Sequence, residues 1–267
     1  MRRVLQVHTD GRTTWRSDEL TTEEPLEIRV NGRAVSVTMR TPGADFDLAV
    51  GFLVTEGVID GADDIVSMRM CPNADAGDAL NVVEATLRDA TLQTPLRAFY
   101  TTSSCGICGK ASIDAVRTAS PYDVRDDPLR VTPEALAALP RRLRDSQHVF
   151  ARTGGLHAAA LFDAAGEILC VREDVGRHNA FDKVIGWAAT QRRLPLRLHG
   201  ILASGRASFE LTQKALMAGI PMIAAVSAPS QLAVDLARES GMTLIGFLRG
   251  EQMNVYAGHE RIAEPSI

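Results

Sequence analysis

Between Leu198 and Leu248 the chain alternates short apolar runs with stretches of helical periodicity. Leu198 to Ala203, Ile220 to Val226 and Met242 to Leu248 are apolar runs of strand length. Ser208 to Ala218 and Ser230 to Ser240 lie between them and read as helices, each opening on a serine suited to cap it. This alternation implies right-handed crossovers and a largely parallel sheet covered on both faces. Upstream, His157 to Phe162 and Glu167 to Val171 read as a hairpin turning at Asp163 to Gly166. Asn179 to Gln191 reads as a helix with Ala180, Val184, Trp187 and Ala188 on one face, and Met253 to Tyr256 as a last strand. The expectation is an α/β fold with a mostly parallel sheet.

The N-terminal third reads differently. Leu26 to Val30 and Arg33 to Met39 flank Asn31-Gly32, a strong hairpin signal. Phe46, Ala49, Val50, Leu53 and Val54 recur at helical spacing within Asp45 to Glu56, and Gly57 is placed to end that helix. Ile65 to Met70 and Leu80 to Leu87 read as strands joined by a turn over Cys71 to Asp78. Thr132 caps a helix that opens on Pro133, and Pro140 is expected to kink or divide it. Three segments are therefore expected: a smaller strand-rich N-terminal domain over 1–98, a loop and connection over 99–130, and an α/β domain over 131–267.

Composition narrows the function classes. Apolar residues make up 45% of the 267, and the net charge is −4, which excludes a disordered chain and offers no bulk attraction for nucleic acid. The basic start, Met1 to His8, lacks the apolar stretch of a secretory signal. Proline, glycine and polar residues break the longest uncharged stretch, Ala215 to Val234, so no membrane span is expected. A cytoplasmic location is the expectation. There, two of the four cysteines set close together suggest redox, metal or sulfur chemistry.

That pair is Cys105 and Cys108, in Ser103-Ser104-Cys105-Gly106-Ile107-Cys108-Gly109-Lys110, read as a loop. Two thiols at this spacing can bind metal, form a disulfide or pass sulfur. Lys110 would favour the thiolate. A structural zinc site needs more ligands, and Cys71 and Cys170 are solitary. Zinc nucleobase deaminases place His-x-Glu before a Pro-Cys-x-x-Cys. Here His157-Ala158-Ala159 follows the pair, with Ala159 where the glutamate would stand, so deamination is disfavoured. No permanent metal is expected.

Two strand-to-helix turns, Ala203 to Ser208 and Val226 to Ser230, should share one sheet edge. Helix starts there would attract phosphate, with Ser204, Gly205, Arg206 and Ser227 in reach, although ordinary capping explains the same residues. Arg172 to Asn179 brings Arg177 and His178 to another helix start. Phe247-Leu248-Arg249-Gly250-Glu251-Gln252 leaves the last parallel strand, where a plain hairpin turn is the simpler reading.

Together these segments resemble the FdhD family of sulfur carriers. The resemblance rests on Met39-Arg40-Thr41-Pro42-Gly43, Leu48-Ala49-Val50-Gly51-Phe52-Leu53, Cys105-Gly106-Ile107-Cys108 and Thr153 to Ala159. Glu173 to Ala180, Ser204-Gly205-Arg206-Ala207-Ser208, Ser227-Ala228-Pro229-Ser230 and Gly246 to Gly250 complete it. The resemblance implies a cytidine-deaminase-like C-terminal domain and a homodimer. It implies a sulfurtransferase that takes persulfide sulfur from a cysteine desulfurase. The sulfur then passes to molybdenum in the bis-molybdopterin guanine dinucleotide cofactor, for formate dehydrogenase. By match to the motif, Cys105 is the implied persulfide carrier and Phe247 to Gln252 the implied cofactor contact. Cys108 could expel the outer sulfur by forming a disulfide, or hold sulfur itself. A cofactor chaperone that moves no sulfur is the alternative, and it has no need of thiolates.

Overall fold

The structure, a computed structural model, describes residues 1–72, 81–89, 99–100 and 120–264, with 99–100 described by backbone alone. A two-stranded ribbon opens the chain, β1 (Arg2–Val7) paired antiparallel with β2 (Thr13–Asp18). No sequence reading anticipated it, because its strands bury almost nothing and show no core-facing alternation.

A five-stranded sheet follows, of β3 (Glu24–Val30), β4 (Arg33–Arg40), β5 (Ile65–Cys71), β6 (Val82–Leu87) and β7 (Phe99–Tyr100), in the order β5-β6-β3-β4-β7. The β3–β4 hairpin turns at Asn31 and Gly32, whose φ angles of 49° and 78° are the left-handed pair that a tight hairpin requires. Helix α1 (Asp45–Thr55) leaves β4, and Gly57 reverses the chain after it at φ 70°.

The C-terminal half holds α2 (Pro133–Ser146), α3 (His148–Thr153), β8 (His157–Phe162), β9 (Ile168–Asp174), α4 (Arg177–Thr190) and β10 (Gly200–Ala203). It continues with α5 (Phe209–Met217), β11 (Met222–Ala225), α6 (Gln231–Ser240), β12 (Thr243–Arg249) and β13 (Gln252–Ala257). Its six-stranded sheet runs β13-β12-β11-β10-β8-β9. Parallel pairing is confined to β10, β11 and β12, the strands that helices separate. The β8–β9 hairpin and β13 add antiparallel edges, so the sheet is mixed where a mostly parallel one was expected. A hairpin reverses direction without a crossover, so β8 necessarily meets β10 antiparallel.

Helix α2 also departs from expectation. It runs unbroken through Pro140 and ends at Ser146. The proline removes one backbone hydrogen bond, but Leu136, Leu139 and Leu143 are buried as one face and hold the helix on the sheet. Asp174 ends β9 in a buried position, so the charge run from Arg172 begins inside a strand and not in a loop.

Alternation along the strands separates two cores. Ala158, Ala160, Phe162, Leu202, Met222, Ala224 and Ile245 face α2. Ala159, Leu161, Ile201, Ala203, Ile223 and Leu244 face the other way, into a core shared with α1, α4, α5 and the five-stranded sheet. Among the described residues, no helix is long and apolar enough to cross a membrane.

Candidate functional site

The turns after β10 and β11 lie side by side and use each other's backbone. Val226 N–H donates to Ala203 C=O at 3.1 Å, Ser227 N–H to Gly205 C=O at 3.2 Å, and Ser230 N–H to Ala207 C=O at 2.9 Å. Ser208 and Ser230 cap their helices through Leu211 N–H and Ala233 N–H. The hydroxyl of Ser204 accepts from Ala158 N–H at 2.8 Å, which ties the first turn to β8.

The third segment closes against the second turn. Phe247 N–H donates to Ser227 C=O at 3.1 Å, and Arg249 Nε to Val226 C=O at 2.8 Å. Gly250 and Glu251 form the tip between β12 and β13, where Gln252 begins the return strand. Phe247 takes a left-handed φ of 51° and its ring is exposed. Leu248 is wholly buried in the core under α2, so its side chain packs instead of facing a ligand. Ser204, Gly205, Arg206, Ser227, Phe247 and Arg249 thus meet at one edge of the parallel strands, where open α/β sheets bind ligands, while nothing ties Gly250, Glu251 and Gln252 to the two turns among the described residues. Arg206 is exposed there and has no protein partner among the described residues. Arg206 and Arg249 are the fixed positive charges of this edge.

A second group stands beside it. His157 begins β8, with its ring against the Gly205 backbone, where a Cβ would come within 3.4 Å of Nδ1. Burial, then the nearby charges of Arg177 and His178, hold the His157 pKa below its ordinary value. His178 Nε2 lies 2.7 Å from Glu210 Oε2, and that contact lowers the Glu210 pKa. Arg177 Nε is shut off from solvent and finds no acceptor.

The rest of the Arg172 to Asn179 segment holds the fold. Asp174 accepts from Gly176 N–H at 2.8 Å, Asn179 Nδ2 at 3.0 Å and Thr41 N–H at 3.1 Å, and pairs with Lys183 at 2.7 Å. Lys183 donates onward to Thr41 C=O, and Asn179 to Met39 C=O. Glu173 accepts from Val149 and Phe150 N–H, completing the start of α3. The motif therefore pins the 39–41 strand end to the start of α4, a role that its sequence as a charge run concealed.

A cleft of about 590 Å³ opens from this edge. Its lining includes His157, Val175, Ser204 and Val226 from the sheet edge and Pro140, Leu143, Arg144, Gln147, Phe150 and Leu156 from α2, α3 and the segment after them. Sequence reasoning did not single out Gln147 or Phe150, because only the packing of α2 and α3 over β8 makes them a wall. Cys105 and Cys108 lie outside the described residues. Cys170 is buried, and burial pushes its thiol up to about 11.

Comparison with known proteins places this arrangement. The model of the FdhD/NarQ family matches residues 21–263. A Streptomyces avermitilis protein called sulfur carrier protein FdhD is 58% identical over 271 residues, covering 98% of this chain and 95% of the relative. The protein of that name from Mycobacterium tuberculosis is 55% identical, covering 98% of this chain and 97% of its own. A crystal structure described as a candidate formate dehydrogenase accessory protein from Desulfotalea psychrophila shares the fold, with a TM-score of 0.78, 24% identity and 98% coverage of both chains. With a family match over nearly its whole length and relatives at more than half identity, the chain belongs to the FdhD/NarQ family.

Proposed function

We propose that this protein is a sulfur carrier serving formate dehydrogenase, taking persulfide sulfur from a cysteine desulfurase on Cys105. The Cys105 thiolate attacks the outer sulfur of the donor persulfide and the desulfurase cysteine leaves as thiolate, so the sulfur moves without net oxidation. The acceptor is molybdenum in the bis-molybdopterin guanine dinucleotide cofactor, bound as substrate. The single observation that supports binding is the meeting of three turns at one sheet edge with Arg206 and Arg249 beside them. Backbone N–H groups at helix starts and fixed guanidinium charges suit the pyrophosphates of such a ligand. The relatives' shared description as sulfur carriers supports the transfer step.

The test is to incubate the protein with a cysteine desulfurase and cysteine, then map added sulfur by non-reducing peptide mass spectrometry. One extra sulfur on the peptide holding Cys105 and Cys108, lost on reduction, is the expected result. Cys105→Ala is expected to abolish activation of formate dehydrogenase while the variant stays folded. Full activation by that variant would remove Cys105 from the mechanism.

A further inference from the structure

The β1–β2 ribbon has an apolar face that stays exposed among the described residues. Residues paired across an antiparallel ribbon share a face. The pairs Arg3–Ser17, Leu5–Trp15 and Val7–Thr13 therefore put Leu5, Val7 and Trp15 on one side, while Arg2, Gln6, Arg16 and Asp18 stand on the other. Leu5, Val7 and Trp15 are 46%, 67% and 59% exposed, and the Arg3 guanidinium lies 4.8 Å from the Trp15 ring centre. A two-stranded ribbon is marginal by itself, and a contiguous apolar face left in water marks a binding surface.

Charge, size and position describe what covers it. Arg12 pairs with Asp10 at 2.7 Å and Arg16 with Asp18 at 3.7 Å. Arg2 and Arg3 have no carboxylate partner among the described residues, in a chain of net charge −4. The ribbon thus suits a surface that is apolar and acidic. Its face measures about 20 Å by 10 Å, so two copies packed face to face would bury on the order of 500 Å², below the ~1,000 Å² of a stable interface. An occupant must therefore also touch the body of the protein, and the body next to the ribbon is the cleft rim. Glu19 pairs with Arg152 at 3.0 Å and Thr21 Oγ1 donates to Thr153 Oγ1 at 2.9 Å, beside Gly154 and Gly155 of the cleft lining. The family match starts at residue 21, so the ribbon stands outside the part that defines the family.

We infer that the apolar face of the ribbon is a docking surface for the enzyme that receives the ligand from the cleft. That enzyme covers it with an apolar groove flanked by carboxylates: Leu5 and Trp15 fill the groove, and Arg3 meets the carboxylates. An enzyme seated there stands beside the cleft, where a bound ligand can pass to it without release into solvent. The inference rests on the proposed function for the identity of that enzyme, formate dehydrogenase.

Binding of apo formate dehydrogenase to the immobilised full chain, followed by biolayer interferometry, tests it. Leu5→Ser combined with Trp15→Ser is expected to weaken binding about thirtyfold, the usual effect of truncating an aromatic anchor. Both side chains are exposed, so the variant is expected to keep the urea midpoint of the unaltered protein. Arg3→Glu is expected to weaken binding about fivefold at low salt, with the difference shrinking as salt is added. Sulfur loading of Cys105 by the desulfurase is expected to be the same in all three proteins. Unchanged affinity for formate dehydrogenase in the double variant would overturn the inference. So would loss of sulfur loading, which would assign the face to the desulfurase, or a dimer-to-monomer shift in sedimentation, which would assign it to a second copy of the chain. Failure of the underlying reading looks different: formate dehydrogenase would not bind the unaltered protein at all.

Discussion

A Cβ placed on Gly51 would sit 1.8 Å from the Asp182 carbonyl oxygen, and one on Gly186 would sit 1.8 Å from that of Asp47. The two glycines let α1 and α4 cross with their backbones in direct contact. Neither φ angle is left-handed, so these glycines are needed for closeness and not for conformation. Gly51→Ala is expected to cost about 3 kcal/mol, read as a lowered urea midpoint, because backbone cannot yield as a side-chain tip can. His157 gives a residue-scale prediction with a sign. Its folded pKa lies below its unfolded value of about 6.5, so the unfolded chain binds the extra proton as pH falls. The His157 contribution is complete above that unfolded value and is lost as pH falls from it toward the folded pKa. His157→Gln is expected to flatten the stability profile in that acidic window. An unchanged slope between the two proteins would show that the imidazole is not held neutral.

Each element was legible to the extent that its determinants are local. The Asn31-Gly32 hairpin, the serine caps of α5 and α6 and the Thr132-Pro133 opening of α2 are decided within a few residues, and the structure shows all of them. Thr132 accepts from Ala135 N–H at 3.2 Å, and Thr132→Ala is expected to remove about 1 kcal/mol of stability, measurable by thermal unfolding. Elements whose stability comes from distant partners were not legible. Pro140 looked like a break, but three buried leucines override it. The β1–β2 ribbon exposes Leu5, Val7 and Trp15 and is tied at its base by Glu19–Arg152 and Thr21–Thr153 contacts. A two-stranded ribbon adds little stability of its own. Removing residues 1–18 is expected to leave the urea midpoint of the remaining chain nearly unchanged.

The larger of the two cores takes side chains from both large sheets. At its centre Lys214 of α5 meets Asp182 of α4 at 2.9 Å and Thr55 of α1 at 2.8 Å, with Glu56 at 3.4 Å. Lys214→Met would leave the buried Asp182 carboxylate without its cation and is expected to cost about 3–5 kcal/mol. Adding Asp182→Leu should recover much of that loss, because the desolvation penalty goes with the second charge. Chemical denaturation of the single and double variants measures both. No recovery in the double variant would mean that the pair is needed for packing rather than for charge balance.

Periodicity, caps and turns in the sequence were enough for an α/β chain, for most element boundaries in its second half, and for the meeting of the Ala203 to Ser208 and Val226 to Ser230 turns at one sheet edge; the third turn joined them only in the tertiary structure. Parallel strands joined by helices must end on the same side, so the Ser204 and Ser227 turns follow as neighbours from the sequence alone. The tertiary structure alone decided the mixed sheet, the crossing at Gly51 and Gly186, the burial of Asp174 with Lys183, and the presence of Gln147 in the cleft. Each depends on residues far apart in the chain being brought within a few ångströms. Periodicity shows which face of an element is buried but not what it is buried against, and charge alone does not distinguish a solvated run from an ion pair in the core.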